Sequence, residues 1–203
     1  SGGGGRFDAG MLYYTPQIWC SDNTDAVDRI RIQYGTSFGY PISAVGSHVS
    51  AVPNHQTGRI TPMKTRGVVA MAGSFGYELN LSAISEEDKN CVREQIDAYH
   101  KYWHLIHDGA YYRLTNPFED REAAAWLFVS EDKGEALLNT VALETHGNPL
   151  SLYVTLEGLD PEAMYRDEDT GAVYPGAGLM SAGIPIPSRT GEYQAFQVHL
   201  RRI

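Results

Sequence analysis

Cysteine is scarce in this sequence: the 203 residues hold two, Cys20 and Cys91. They lie far apart, with no C-x-x-C pair and no Cys/His spacing, which excludes a disulfide framework and a thiol-based zinc site. Both are expected as free thiols, compatible with a reducing cytoplasm. Basic charge is also short, since 16 Lys and Arg face 25 Asp and Glu for a net charge of -9. The few basic clusters, such as Arg201-Arg202, are brief, so a nucleic-acid partner is not expected. Long apolar runs are missing as well. Ala123 to Val129 falls far below the roughly 20 residues that span a bilayer, and no basic start leads into an apolar segment. A soluble, globular protein with no membrane partner is the expectation.

Several chemistries lack their residues. There is no G-x-S-x-G elbow, and neither cysteine has a nearby histidine, so acyl transfer has no nucleophile. The run Gly2 to Gly5 permits close backbone approach to a ligand, but it lacks the lysine of a phosphate loop and the setting of a dinucleotide fingerprint. His48 and His55 lie seven apart in an expected loop, not four apart on a helix, and structural roles are the simpler reading. His100, His104 and His107 step by four and three along a helix, where they form either one face of a metal site or a polar flank. The flank is the simpler account, and no metal or other cofactor is expected.

What is present is a repeating strand-loop-helix pattern. After Ser1 to Gly5, which resembles a flexible linker, the chain runs without a break into Arg6-Phe-Asp-Ala-Gly-Met-Leu-Tyr-Tyr14, as a βα loop would. Asp8 is expected to cap or brace that turn. A strand-like Gln17-Ile-Trp19 precedes a helix from Thr24, with Asp25 in its first turn, Val27, Ile30 and Tyr34 on one face and Gly35 beyond it. A second round pairs the strand-like Gly39 to Val45 with a helix that Thr61 caps and Pro62 opens, running to about Met71. The third pairs Gly73 to Leu81 with a long helix opened by the capping box Ser85-Glu-Glu-Asp88 and ended by Gly109. Val92, Ile96, Tyr99, Trp103 and Ile106 are its expected inward stripe.

This is the grammar of a parallel βα fold, and three such units are too few to close an eight-fold barrel. Past Gly109 the texture becomes short β-rich runs: Tyr111 to Leu114, Trp126 to Val129, Ala136 to Leu143, Leu150 to Leu156 and Tyr193 to Leu200. Asp167 to Gly171 reads as a hairpin turn before Ala172-Val-Tyr174. An antiparallel β domain, arranged as a sandwich, is expected over 109–203.

Asp22 has a good address for chemistry, in the loop after a parallel strand and just before a helix, where βα folds place catalytic groups. The commoner use of such residues is capping, for which Asp22, Asn23 and Thr24 compete.

The blocks Ser1-Gly-Gly-Gly-Gly-Arg-Phe-Asp8, Tyr14-Thr-Pro-Gln-Ile-Trp-Cys-Ser-Asp-Asn-Thr-Asp25, Ile32-Gln-Tyr-Gly-Thr-Ser37, Gly46 to Gln56 and Gly76-Tyr-Glu-Leu79 resemble the family thirty-six glycoside hydrolases. Trp126-Leu-Phe-Val-Ser-Glu-Asp132 and Gly158-Leu-Asp-Pro161 extend the match across nearly the whole chain. The resemblance implies a retaining α-galactosidase acting on melibiose and raffinose, with a (β/α)8 barrel followed by an antiparallel β domain. It makes 1–108 the C-terminal part of the barrel and 109–203 the β domain. The family's acid/base aspartate, in a Trp-x-Ser-Asp motif after the sixth strand, maps onto Asp22, which tips the balance from cap to catalyst. A backbone glycine that contacts galactose maps onto Gly3. The family nucleophile, in a Lys-Trp-Asp motif, has no counterpart here, so the chain is expected to be a C-terminal piece that is inactive alone. The N-terminal part of the enzyme is then its first partner, and a homotetramer the expected assembly. A galactosyl-transferring synthase of the raffinose or stachyose type shares this vocabulary, and a carbohydrate-binding role for the β domain is a further alternative.

Overall fold

In a computed structural model, which describes residues 8–147, 152–187 and 191–203, the chain divides into two compact units, Ser1–Lys101 and Tyr102–Ile203. The first contains three adjacent parallel segments, each followed by a helix. Ile18 bridges Val45 in parallel fashion and precedes helix α1 (Ala26–Thr36). Strand β1 (Gly46–Ser50) leads to helix α2 (Met63–Ala70). Strand β2 (Ser74–Glu78) pairs in parallel with β1 and leads to helix α3 (Glu86–Asp108). Asp8 caps a short 3-10 turn, Ala9–Tyr13, by accepting from the Gly10 N–H at 2.9 Å.

The second strand sits later than its composition suggests. The expected strand over Gly39 to Val45 is instead a 3-10 turn at Ile42–Ala44, introduced by Pro41 with its fixed φ. The strand itself is the polar run Gly46-Ser-His-Val-Ser50. A parallel strand covered on both faces is normally apolar, and here the buried polar groups are satisfied by neighbours. Ser47 Oγ donates to Gln33 Oε1 at 2.6 Å, Ser50 Oγ donates to the Thr24 carbonyl at 3.1 Å, and Arg66 Nη1 donates to the Ser50 carbonyl at 2.7 Å. Thr61 does not cap α2; Pro62 stands at that position with no side-chain hydrogen bond, and the helix opens one residue later, at Met63.

Helix α3 opens as expected, with Ser85 Oγ accepting from the Asp88 N–H at 3.0 Å. Its inward stripe is rotated from the expected one. Val92, Gln95, Tyr99, Tyr102, Leu105 and Ile106 are buried, while Ile96 and Trp103 are 38% and 48% exposed. The buried set also steps by three and four, and it runs through a polar residue that apolar periodicity passes over. Gln95 Nε2 donates to the Met63 carbonyl at 2.9 Å, and Tyr77 Oη donates to Gln95 Oε1 at 2.8 Å. Gly67 makes room for it, because a Cβ there would lie 2.3 Å from the Gln95 amide.

The second unit is built on a six-stranded antiparallel sheet. Its strands in chain order are β3 (Ala110–Arg113), β4 (Ala123–Val129), β5 (Glu135–Ala142), β7 (Met164–Asp167), β8 (Val173–Pro175) and β10 (Ala195–Arg202). In space they run β3-β4-β5-β10-β7-β8. Strands β6 (Leu152–Val154) and β9 (Ile184–Ile186) form a separate antiparallel pair. That pair and the short helix α4 (Gly176–Ser181) share one core with Leu127, Val129, Leu138, Phe196 and Leu200 of the large sheet. The unit is thus two-layered, with one layer much smaller than the other. The 167–171 turn joins β7 to β8, with Asp167 accepting from the Asp169 N–H at 2.9 Å and the Thr170 hydroxyl at 2.6 Å. Gly158 is required where it stands: its φ is +74, and a Cβ would lie 2.4 Å from the Tyr112 ring.

On the opposite face of the sheet, Glu135 Oε2 lies 3.2 Å from both His104 Nε2 and His199 Nε2, and Oε1 lies 3.2 Å from Arg201 Nη2. Burial pushes the Glu135 carboxyl up, but the His199 hydrogen bond, the Arg201 charge and the His104 hydrogen bond outweigh it and hold the group below the usual carboxylate range. A carboxyl whose pKa falls on folding contributes stability above its unfolded value and loses it as pH drops through the folded one. Glu135→Gln is therefore expected to cost about 1–2 kcal/mol at neutral pH. In denaturant titrations the gap between wild type and variant narrows once the pH lies below the ordinary carboxylate range.

Asp25 holds the start of α1. Its Oδ1 accepts from the Val27 and Asp28 N–H groups, both at 3.0 Å, and pairs with Arg59, while Thr57 Oγ1 donates to Oδ2 at 2.8 Å. With the side chain 1% exposed, Asp25→Ala is expected to destabilise by about 2–4 kcal/mol. Asp25→Asn, which keeps the cap but not the charge, costs less; equal denaturation midpoints for the two variants would contradict this.

Candidate active site

The ends of the parallel segments and the loops that follow them meet at a cleft of about 510 Å³ lined by Trp19, Asp22, His48, His55, Gln56, Tyr77 and Glu78. Asp22 is exposed in it, as a carboxylate in the loop between a parallel strand and a helix is expected to be. It takes no part in capping. Asp25 occupies the N-cap of α1. Asn23 is tied to Asp28 through Nδ2 at 2.8 Å and accepts from the Asp25 N–H at 2.9 Å, and Thr24 is buried, accepting from Asn54 at 3.4 Å. Among the described residues the one side-chain bond of Asp22 comes from Trp19, whose Nε1–H donates to Oδ1 at 2.9 Å. Oδ2 has no hydrogen-bond partner among the described residues.

The loop carrying Asp22 is anchored from below by Arg29, the largest of the fully buried side chains. Its guanidinium donates to the Ser21 carbonyl at 3.2 Å, to the Gly46 carbonyl and to Gln33 Oε1 at 3.3 Å. Burial lowers its pKa, an effect that the nearby Cys20 opposes. Arg29 also lies 5.4 Å from the centre of the Trp19 ring. His48 meets the same indole, with ring centres 4.7 Å apart, and its Nδ1 lies 3.5 Å from Glu78 Oε2. Burial pushes the Tyr77 phenol well above its ordinary range, so it is a hydrogen-bond donor to Gln95 and not an anion.

His48 is therefore on β1 and not in the loop with His55, although both line the cleft. Neither was marked for the site by the sequence; the signal available was the polar run around His48. Gly3 lies outside the described residues. His100, His104 and His107 take separate roles: His100 is exposed, His104 faces Glu135, and His107 stacks on Trp103 with ring centres 3.5 Å apart. No group of three or more His, Cys, Asp or Glu converges among the described residues. A second cleft of about 390 Å³, within the second unit, is lined by His104, Asp108, Gly109, Ser130, Glu131 and Asp132. Trp126 is buried, 6% exposed, and so offers no open ring face to a sugar in this structure. No described helix is long and apolar enough to cross a membrane.

Comparison with known proteins gives the site its context. The melibiase family model matches residues 1–109, and that of the glycosyl hydrolase family 36 C-terminal domain matches residues 123–200. The bifunctional alpha-galactosidase/sucrose kinase AgaSK of Mediterraneibacter gnavus is 62% identical over 97% of this chain and 21% of its own length. Alpha-galactosidase AgaA of Geobacillus stearothermophilus is 50% identical over the whole chain and 28% of its own length. Among solved structures, the galactosidase domain of AgaSK superposes with a TM-score of 0.97 at 60% identity, covering 100% of this chain and 28% of that one. A variant of AgaA in complex with raffinose gives 0.95 at 49%, with the same coverage. The chain thus spans between a fifth and a third of its relatives' length. On these matches it belongs to the melibiase family and carries, in its second half, a glycosyl hydrolase family 36 C-terminal domain.

Proposed function

We propose that this chain is the acid/base-bearing portion of a retaining α-galactosidase that hydrolyses terminal α-galactosides such as melibiose and raffinose, with Asp22 as the acid/base. The observation that carries this reading is that Asp22, alone among the acidic residues around the start of α1, is exposed in the cleft and free of capping. Residues 1–108 are read as the C-terminal part of a (β/α)8 barrel and 109–203 as an antiparallel β domain. The three parallel segments and the likeness to AgaSK and AgaA support that division. Gly3 is assigned a backbone contact to galactose. The nucleophilic aspartate is assigned to the remainder of the enzyme, because no Lys-Trp-Asp motif occurs in these residues. The whole enzyme is read as a cytoplasmic homotetramer, a compartment that suits the unpaired thiols of Cys20 and Cys91.

Retention requires two carboxyls about 5 Å apart across the glycosidic bond. In the first step Asp22 passes its proton to the glycosidic oxygen as the bond from that oxygen to the anomeric carbon breaks. The partner aspartate attacks the same carbon, giving a covalent galactosyl-enzyme. In the second step Asp22 takes a proton from water, whose oxygen displaces the partner and releases galactose in the α configuration.

Asp22→Ala in the full-length enzyme is expected to slow leaving groups that need protonation, such as the sugar of melibiose, by about 10²–10⁴. Activated aryl α-galactosides are slowed far less, and equal losses on both classes count against the acid/base role. The 203-residue chain by itself is expected to release no nitrophenol from an aryl α-galactoside, measured against the full-length enzyme at equal concentration.

A further inference from the structure

We propose that Trp19 and His48 are positioning residues for Asp22: the indole N–H assigns the transferable proton to Oδ2, and His48 clamps the indole that does so. The inference rests on the reading of Asp22 as the acid/base.

An indole nitrogen is a donor only, with no lone pair to accept a proton's hydrogen bond. The carboxyl oxygen that it contacts must therefore be an acceptor in every protonation state of Asp22. With Trp19 Nε1 at 2.9 Å from Oδ1, a protonated Asp22 favours keeping Oδ1 as its carbonyl oxygen, the stronger acceptor, and carrying its hydrogen on Oδ2. That oxygen has no partner among the described residues, and it is the one left to meet the substrate. The same oxygen receives the proton when water attacks, so both steps use one atom and the side chain need not rotate between them.

This sorting works only if the indole is held still. Three neighbouring parallel segments contribute to holding it. Arg29, fixed by the carbonyls of Ser21 and Gly46, lies 5.4 Å from the ring centre. His48 of β1 meets the ring at 4.7 Å and 42°. Glycines leave the room for both rings: a Cβ on Gly46 would lie 2.8 Å from Trp19 Cε3, and one on Gly76, the β2 residue opposite His48, would lie 2.9 Å from His48 Cδ2. Two residues further along β2, Glu78 Oε2 stands 3.5 Å from His48 Nδ1. An imidazole that merely filled a core would need neither the cleft exposure of 30% nor a carboxylate beside it.

The test is the leaving-group dependence of kcat/KM in the full-length enzyme, over aryl α-galactosides of graded leaving ability, for Asp22→Ala, Trp19→Phe, His48→Ala and His48→Phe. The readout is the ratio of rates on good and poor leaving groups within one variant, so any fall in the amount of folded enzyme cancels. Trp19→Phe, which keeps a ring but loses the N–H, is expected to widen the ratio about tenfold or more, the worth of a hydrogen bond to a charged group. His48→Ala widens it in the same direction by a smaller factor, and His48→Phe, which keeps a ring against the indole, restores the wild-type ratio. Losses that are uniform across leaving groups in Trp19→Phe and His48→Ala, with Asp22→Ala still widening the ratio, overturn the positioning role and leave Asp22 as acid/base. An unchanged ratio in Asp22→Ala overturns both.

Discussion

The interaction on which the first unit depends is the burial of one cation among neutral acceptors. Arg29 has no carboxylate partner among the described residues, and its guanidinium is instead distributed over two backbone carbonyls and the Gln33 amide. Removing a charge from water is costly, and the cost is offset only when each N–H finds an acceptor. The acceptors come from the loop after the first segment, from the start of β1 and from α1 itself. One side chain thus ties together the pieces whose ends line the cleft. Gln33 extends the tie to α2 by donating to the Val69 carbonyl at 3.1 Å, and to β1 by accepting from Ser47.

A second constraint is the separation of duties among three nearby acids. Asp25 is buried against the helix start and Arg59, Asp28 is bound by Asn23 and lies 3.5 Å from the same arginine, and Asp22 is left exposed. The three are aspartates spaced three residues apart, and long-range partners add to the local ones that distinguish them. Arg59 and Thr57 arrive from the loop after β1, more than thirty residues away, to occupy Asp25.

The expected elements that formed where predicted are those with local signals. The α3 capping box, its end at Gly109, the 167–171 hairpin and the long strands β4, β5 and β10 rest on residues adjacent in sequence. What was not legible rests on burial of polar groups. Strand β1 consists largely of small and polar residues, so apolar patterning placed the strand seven residues early. The stripe of α3 was misaligned because Gln95 is a core residue and Trp103 is not. Strands β7 and β9 and helix α4 are short pieces whose apolar residues acquire meaning only in the shared core of the second unit.

The sequence alone determined the family, through blocks that recur in register, and the address of Asp22 between a strand and a helix. Those are properties of residue order. The tertiary structure decided which acid is free, which oxygen of that acid faces a fixed donor, and that His48 belongs to a strand at the cleft. Each depends on groups brought together from separate βα units, and no local pattern encodes the distance between them.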